Sequence, residues 1–128
     1  MNKRIILIAT IFGALAVILG AFGAHSLKAQ ISTSALAIWQ KGVEYQFYHT
    51  FALLYLSTFV RYKSKLISLS FIFFSLGIVF FSGSLYILAL RDAFNLPMAT
   101  YIGPITPIGG LFFILGWIFL FLAAVKHK

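Results

Sequence analysis

Apolar residues in this chain run in long unbroken stretches rather than alternating. Four such segments, Ile5 to Ala24, about Tyr45 to Val60, Leu66 to Leu90 and about Ile105 to Val125, are separated by short stretches that hold nearly all the charge. A hydrocarbon core takes about 20 helical residues to cross, and each segment reaches that length if the second starts near Lys41. The pattern predicts an all-α, polytopic membrane protein. It forms a bundle of four transmembrane helices, over about 5–24, 41–60, 66–90 and 105–125, in a single membrane domain spanning 1–128. A barrel is excluded, because its strands would need a period of two and polar lumen faces.

The connection after the first segment carries a pattern of its own. Ser32, Thr33 and Ser34 offer N-cap oxygens, and Leu36, Trp39, Val43 and Phe47 then recur at spacings of three and four. An amphipathic segment over about 33–44 is expected to lie at the interface, anchored by Trp39 and Tyr45, and to run into the second membrane helix with Gly42 as a bend. Arg91 to Pro97 reads as turn chemistry, and Pro104 and Pro107 suit the opening turn of the fourth helix. The N-terminal segment partly imitates a secretory signal ending in Gly23-Ala24-His25-Ser26. At 20 apolar residues, with further spans behind it, it is expected to be a retained helix.

Composition sharpens this picture. With 62% hydrophobic and 9% charged residues, the chain lacks the charged surface that a soluble domain needs. Its formal net charge of +8 does not indicate nucleic acid, because the basic residues punctuate apolar runs instead of clustering with aromatics on one face. The absence of cysteine excludes disulfides, thiolate metal sites and thiol nucleophiles. Lys3, Arg4, Arg61, Lys63, Lys65, Lys126 and Lys128 fall on one side of the predicted spans, against Lys28, Lys41 and Arg91 on the other. That bias places both termini in the cytoplasm of a multi-pass plasma membrane protein.

Packing in lipid depends on small residues that let backbones approach. Ala9, Gly13, Ala16, Gly20 and Gly23 form a stripe on the first helix, Ser68, Ser75 and Ser82 repeat at sevens on the third, and Gly109, Gly116 and Ala123 do so on the fourth. These seams suit a left-handed bundle, and they serve equally well for contacts within the chain or with another copy.

Counting 1.5 Å per residue from Arg4, Arg61, Lys65 and Lys126 puts the polar residues in one layer toward the outer face. His25 stands about 31 Å up, Glu44 about 25 Å, Ser82 about 26 Å, Thr106 about 30 Å and His49, the deepest, about 18 Å. The candidate ligand site is therefore His25, Glu44, Tyr45, Tyr48, His49, Ser82, Ser84, Tyr86 and Arg91. Glu44 is expected to pair with Lys41, Arg91 or a tyrosine hydroxyl, since an unpaired carboxylate in hydrocarbon costs several kcal/mol. Such a layer is either a binding site or proton path, or a network of satisfied hydrogen bonds that fixes helix register.

Two histidines on different helices could ligate haem, and His25, Glu44 and His49 could ligate a divalent ion, but no HxxxH or ExxH spacing supports either. No cofactor or metal is expected. With two acids in the chain, no Ser-His-acid order and no Gly-rich phosphate loop, the protein is not expected to be an enzyme.

Four motifs in order carry a family resemblance. They are Gly20-Ala21-Phe22-Gly23-Ala24-His25, Gly42-Val43-Glu44-Tyr45-Gln46-Phe47-Tyr48-His49, Phe81-Ser82-Gly83-Ser84-Leu85-Tyr86, and Thr106-Pro107-Ile108-Gly109-Gly110 with Gly116-Trp117. Over its whole length the chain resembles the YgdD/YwdK-like family of small membrane proteins. The resemblance implies four membrane helices, no established catalytic activity and no named substrate. It also implies that the outer polar layer is one unit, and it points to a bacterial plasma membrane. The expected role is a non-enzymatic accessory or structural protein that supports membrane integrity or a larger membrane partner. The competing expectation is a small-solute, ion or proton-coupled transporter. The expected partners are the lipid bilayer and either a second copy or another membrane protein, and not nucleic acid.

Overall fold

The computed structural model describes residues 2–59 and 64–126. Arg61, Lys63, His127, Lys128 and the predicted end of the second helix at 60 lie outside the described residues. The chain is helical throughout its ordered elements: α1 (Lys3–His25), a short 3-10 turn (Leu27–Ala29), α2 (Thr33–Leu56), α3 (Lys65–Gly77), a π turn (Ile78–Ser82), α4 (Gly83–Leu90), α5 (Ala99–Ile102) and α6 (Ile105–Lys126). Three stretches, Lys3–Ala29, Lys65–Leu90 and Ala99–Lys126, are long and apolar enough to cross a membrane. The remaining long helix, α2, has 24 residues and carries Lys41, Glu44, Gln46 and His49 among its apolar positions.

Helices α1, α2 and α3 start where a polar side chain can satisfy their free N–H groups. The Asn2 side chain accepts from the Ile5 N–H, that of Ser32 from Ala35, and that of Ser64 from Leu66. The Asn2 N–H also donates to the Ser57 carbonyl at 2.8 Å, which ties the start of α1 to the end of α2 and sets the two antiparallel. Lys3, Arg4, Lys65 and Lys126 thus share one end of the molecule, called the basic end below. Near the other end, Asn95 turns the chain between α4 and α5 with φ of 48°, a conformation that asparagine tolerates.

The segment 33–44 is not a separate element. It is the first half of α2, which runs unbroken past Gly42, and its Trp39 is 3% exposed, packed with Leu27 and Ala89. Gly42 marks a close approach instead of the expected bend: a Cβ there would stand 2.8 Å from the Tyr86 ring, so the position is a gap that admits a neighbouring side chain.

The small-residue stripes meet partners within the chain. That of α1 faces α2, with Gly13 against Thr50, Gly20 against Val43 and Gly23 against Trp39. On α6, Gly109 lies against the backbone of Phe80 and Phe81, and Gly116 against the Phe74 ring. The serine stripe of the third helix is the exception. Ser68 is exposed and Ser75 half-buried, while Ser82 is fully buried. The π turn between them adds a residue to the helical repeat, so positions spaced by seven across it leave the common face. Ser70 and Gly77 take over the contact with α6. A core of Ile5, Ala9, Leu53, Leu56, Ile67, Phe71, Phe74, Ile78 and Phe113 closes the middle and the basic half.

Candidate functional site

Polar side chains gather along α2, and nearly every buried one binds another helix. Starting from the end opposite the basic residues, the Trp39 indole N–H donates to the Leu19 carbonyl of α1 at 2.9 Å, while its ring packs on Tyr86 with centroids 4.7 Å apart. One turn on, Ser82 donates to the Gly42 carbonyl at 2.7 Å, joining the π turn to α2. Gln46 is 3% exposed and binds on both sides: its amide N–H donates to the Phe12 carbonyl at 2.8 Å, and its oxygen accepts from the Tyr86 hydroxyl at 2.6 Å. One amide thereby holds α1, α2 and α4 together. Ser84 donates to the Phe81 carbonyl at 2.8 Å and lies 2.6 Å from the Thr106 hydroxyl, which leaves Thr106 as the donor to Ser84.

His49 stands apart from this group. Its ring is stacked on Phe113 with centroids 3.5 Å apart and planes 9° apart, and it is 5% exposed. The Trp117 indole N–H lies 3.1 Å from Nε2 and can only donate, so Nε2 accepts and the ring proton sits on Nδ1. Nδ1 then donates to the Tyr45 carbonyl at 2.8 Å. Both nitrogens of a neutral imidazole are satisfied. One turn below, Ser70 donates to the Gly116 carbonyl at 2.8 Å, a second bond between the third helix and α6.

The single layer expected from counting along the sequence therefore divides. α2 ends at Leu56 and its Ser57 carbonyl is level with Asn2, so His49 stands about 12 Å above that end; Arg61, from which the sequence count starts, lies outside the described residues. It belongs with Ser70 and Trp117, whereas Gln46, Tyr86, Ser82, Ser84 and Trp39 form the group farther from the basic end.

Four of the candidate residues stay outside both groups. His25 is exposed at the end of α1. Glu44 pairs with Lys41 at 3.1 Å on the surface, both side chains about half exposed. Arg91 pairs with Asp92 at 3.4 Å, also exposed, and does not reach Glu44. Tyr48 is 55% exposed, in ring contact with Tyr45 alone among the tyrosines. Tyr45 itself packs between His49, Phe81 and Phe113 through its ring, and lends its carbonyl to His49. Among the described residues no three His, Asp or Glu side chains come together as a metal site would require.

Gln46, Trp39, Trp117, Ser70 and Thr106 are the participants absent from the candidate residues, although its depth places Thr106 in the polar layer. Gln46 had a signal of its own, an amide in an apolar helix between Tyr45 and Phe47, where an unbonded amide costs several kcal/mol. The indoles read equally well as interfacial anchors, and nothing in the spacing of Trp117 shows that its face meets His49.

Two cavities border the basic end, of about 560 and 530 Å³. Trp117 lines the first and Arg4 and Lys65 the second, and none of the nine candidate residues lines either.

Comparison with known proteins agrees with the motifs. Residues 19–110 match the family described as Protein of unknown function (DUF423). A UPF0382 membrane protein of Staphylococcus aureus is 41% identical over 124 residues, covering 97% of both chains. UPF0382 membrane protein YwdK of Bacillus subtilis is 39% identical, covering 98% of both chains, and UPF0382 inner membrane protein YgdD of Escherichia coli is 38% identical, covering 100% of this chain and 95% of its own. No solved structure matches. Motifs, helices and relatives agree over the full length, and the chain belongs to this DUF423 family of small membrane proteins, UPF0382 among its relatives.

Proposed function

We propose that the protein is a four-spanning membrane scaffold, a non-enzymatic accessory that supports membrane integrity or a larger membrane partner through lateral helix contacts. One observation carries this reading: most of the buried polar side chains of α2 and of the helices around it are committed to bonds between helices, with Thr50 and Ser75 unpartnered among the described residues. Trp39 to Leu19 and Gln46 to Phe12 fasten α2 to α1, Gln46 to Tyr86 fastens it to α4, Ser82 to Gly42 to the π turn, and His49 to Trp117 to α6. A transport site needs groups left free to exchange partners, and His49, the deepest ionisable candidate, has both ring nitrogens bonded.

In this reading α2 is the fourth span. It is antiparallel to α1, and its less apolar composition is tolerable because Gln46 and His49 face protein while the exposed Lys41 and Glu44 neutralise each other as an ion pair. The basic end faces the cytoplasm, as the excess of Lys and Arg there favours, and the first turns of α2 emerge at the opposite interface. Deleting the gene should raise leakage of a membrane-impermeant dye and sensitivity to detergent. Unchanged leakage and unchanged sensitivity would count against the structural role. Proton-coupled uptake by proteoliposomes, abolished by His49→Ala, would replace it with the transport reading.

A further inference from the structure

The chain has only two acidic side chains, and both are accounted for at or near the end opposite the basic residues: Glu44 pairs with Lys41 and Asp92 with Arg91. No carboxylate side chain can therefore reach Arg4, Lys65 or Lys126. Arg4 is not loose, however. Its guanidinium carbon sits 5.7 Å above the centre of the Phe71 ring, a cation–π contact that orients the group, and its N–H groups have no hydrogen-bond acceptor among the described residues. Arg4 and Lys65 line the same cavity of about 530 Å³ together with Asn2, Ser64 and Ser68, so two cations and two hydroxyls from the starts of α1 and α3 share one space.

An apolar cavity lies beside that polar one. The second, of about 560 Å³, shares Phe59, Ser64 and Ile67 with the first and is walled by Leu120, Phe121 and Ala124 of α6, with Lys126 at its rim. A cationic recess beside an apolar groove fits an amphiphile with an anionic head. A free anion would leave the groove empty, and an acidic peptide has no chain to place along it.

We propose that the basic end holds an anionic phospholipid, its phosphate between Arg4 and Lys65 and one acyl chain in the groove along Leu120 and Phe121. Arg4 and Lys65 are both exposed, and two cations facing one phosphate give charge-assisted hydrogen bonds that a zwitterionic lipid, with its own ammonium group, satisfies less well. The inference does not depend on the scaffold role or on sidedness, because binding is read in detergent, where neither enters.

The test is native mass spectrometry of the full chain in detergent with added dioleoyl-phosphatidylglycerol or dioleoyl-phosphatidylcholine, with thermal melting in parallel. Phosphatidylglycerol should be retained in preference and should raise the melting temperature, with retention falling as salt is raised. Arg4→Gln with Lys65→Gln should weaken retention by about thirtyfold, while Lys28→Gln at the other end changes nothing. Equal retention of the two lipids by the wild-type chain overturns the proposal, and that outcome needs no variant to fold. Wild-type retention by the double variant also overturns it. Inorganic phosphate or glycerol 3-phosphate that stabilises the protein as well as the lipid does would overturn the lipid assignment in favour of a soluble anion.

Discussion

At the scale of single residues, the contact between His49 and Trp117 gives a measurable bond. Interhelical hydrogen bonds in membrane proteins average about 0.6 kcal/mol and reach about 1.7 kcal/mol. Trp117→Phe keeps the ring but removes the donor, so it should lower stability by about that amount in a detergent unfolding titration. His49→Leu should cost more, because it also removes the stacked partner of Phe113 and leaves an indole N–H unpaired. The double variant should cost clearly less than the sum of the two, and strict additivity would show that the bond contributes nothing. Thr50 offers the opposite case. It is 2% exposed and its hydroxyl has no partner among the described residues. Thr50→Val keeps the shape and removes the stranded hydroxyl, so it should be neutral or stabilising by up to about 1 kcal/mol in the same titration. A loss of stability would mean that the hydroxyl is bonded after all. The sequence identified His49 as a residue needing a partner because a buried imidazole in hydrocarbon is costly. It did not identify the partner, because a tryptophan 68 positions away announces nothing about which face it occupies.

At the scale of elements, the π turn decides how the third helix serves two neighbours. α3 presents Ser70 and Gly77 to α6, and after the turn the same rod presents Ser82 and Tyr86 to α2. Removing one residue, for example Val79, would restore a regular helical repeat and rotate α4 by about 100° relative to α3. Ser82 and Tyr86 would then turn away from Gly42 and Gln46. The chain has no native cysteine, so a Gln46→Cys, Tyr86→Cys pair reports this directly. A short bifunctional thiol reagent should join the pair in the full-length chain and fail to do so after the deletion. Gly109 tests the neighbouring contact, since an added Cβ would meet the Phe80–Phe81 backbone, which cannot step aside as a side chain can. Gly109→Ala should destabilise by several times the cost of Gly110→Ala, where the nearest atom lies 3.8 Å away. Lengths and apolar periods made the helices legible, and the Ser32 cap was legible too. The π turn was not, because no residue type marks it, and the serine repeat that crosses it misled for the same reason.

For the whole molecule, the proposed topology has a simple check. An impermeant maleimide should label Gln30→Cys in intact cells and Lys126→Cys only after the membrane is opened, and the reverse pattern would invert the orientation. The polar layer was legible as a collection of costly residues but not as a division into two groups. That division depends on where α2 stops, and the apolar run gave no sign that it ends at Leu56 instead of near 60. Glu44 and His25 entered the candidate set on depth and Arg91 as a partner for Glu44, although local pairing or exposure accounts for each. The two groups also give the molecule an optical property. The chain has two tryptophans, one in each group, and both donate an indole N–H to a defined acceptor. Emission from Trp39→Phe protein would follow the Trp117 half, and emission from Trp117→Phe protein the Trp39 half. Two single-emitter samples could therefore show, with no attached dye, whether the protein melts as one body or comes undone from one end.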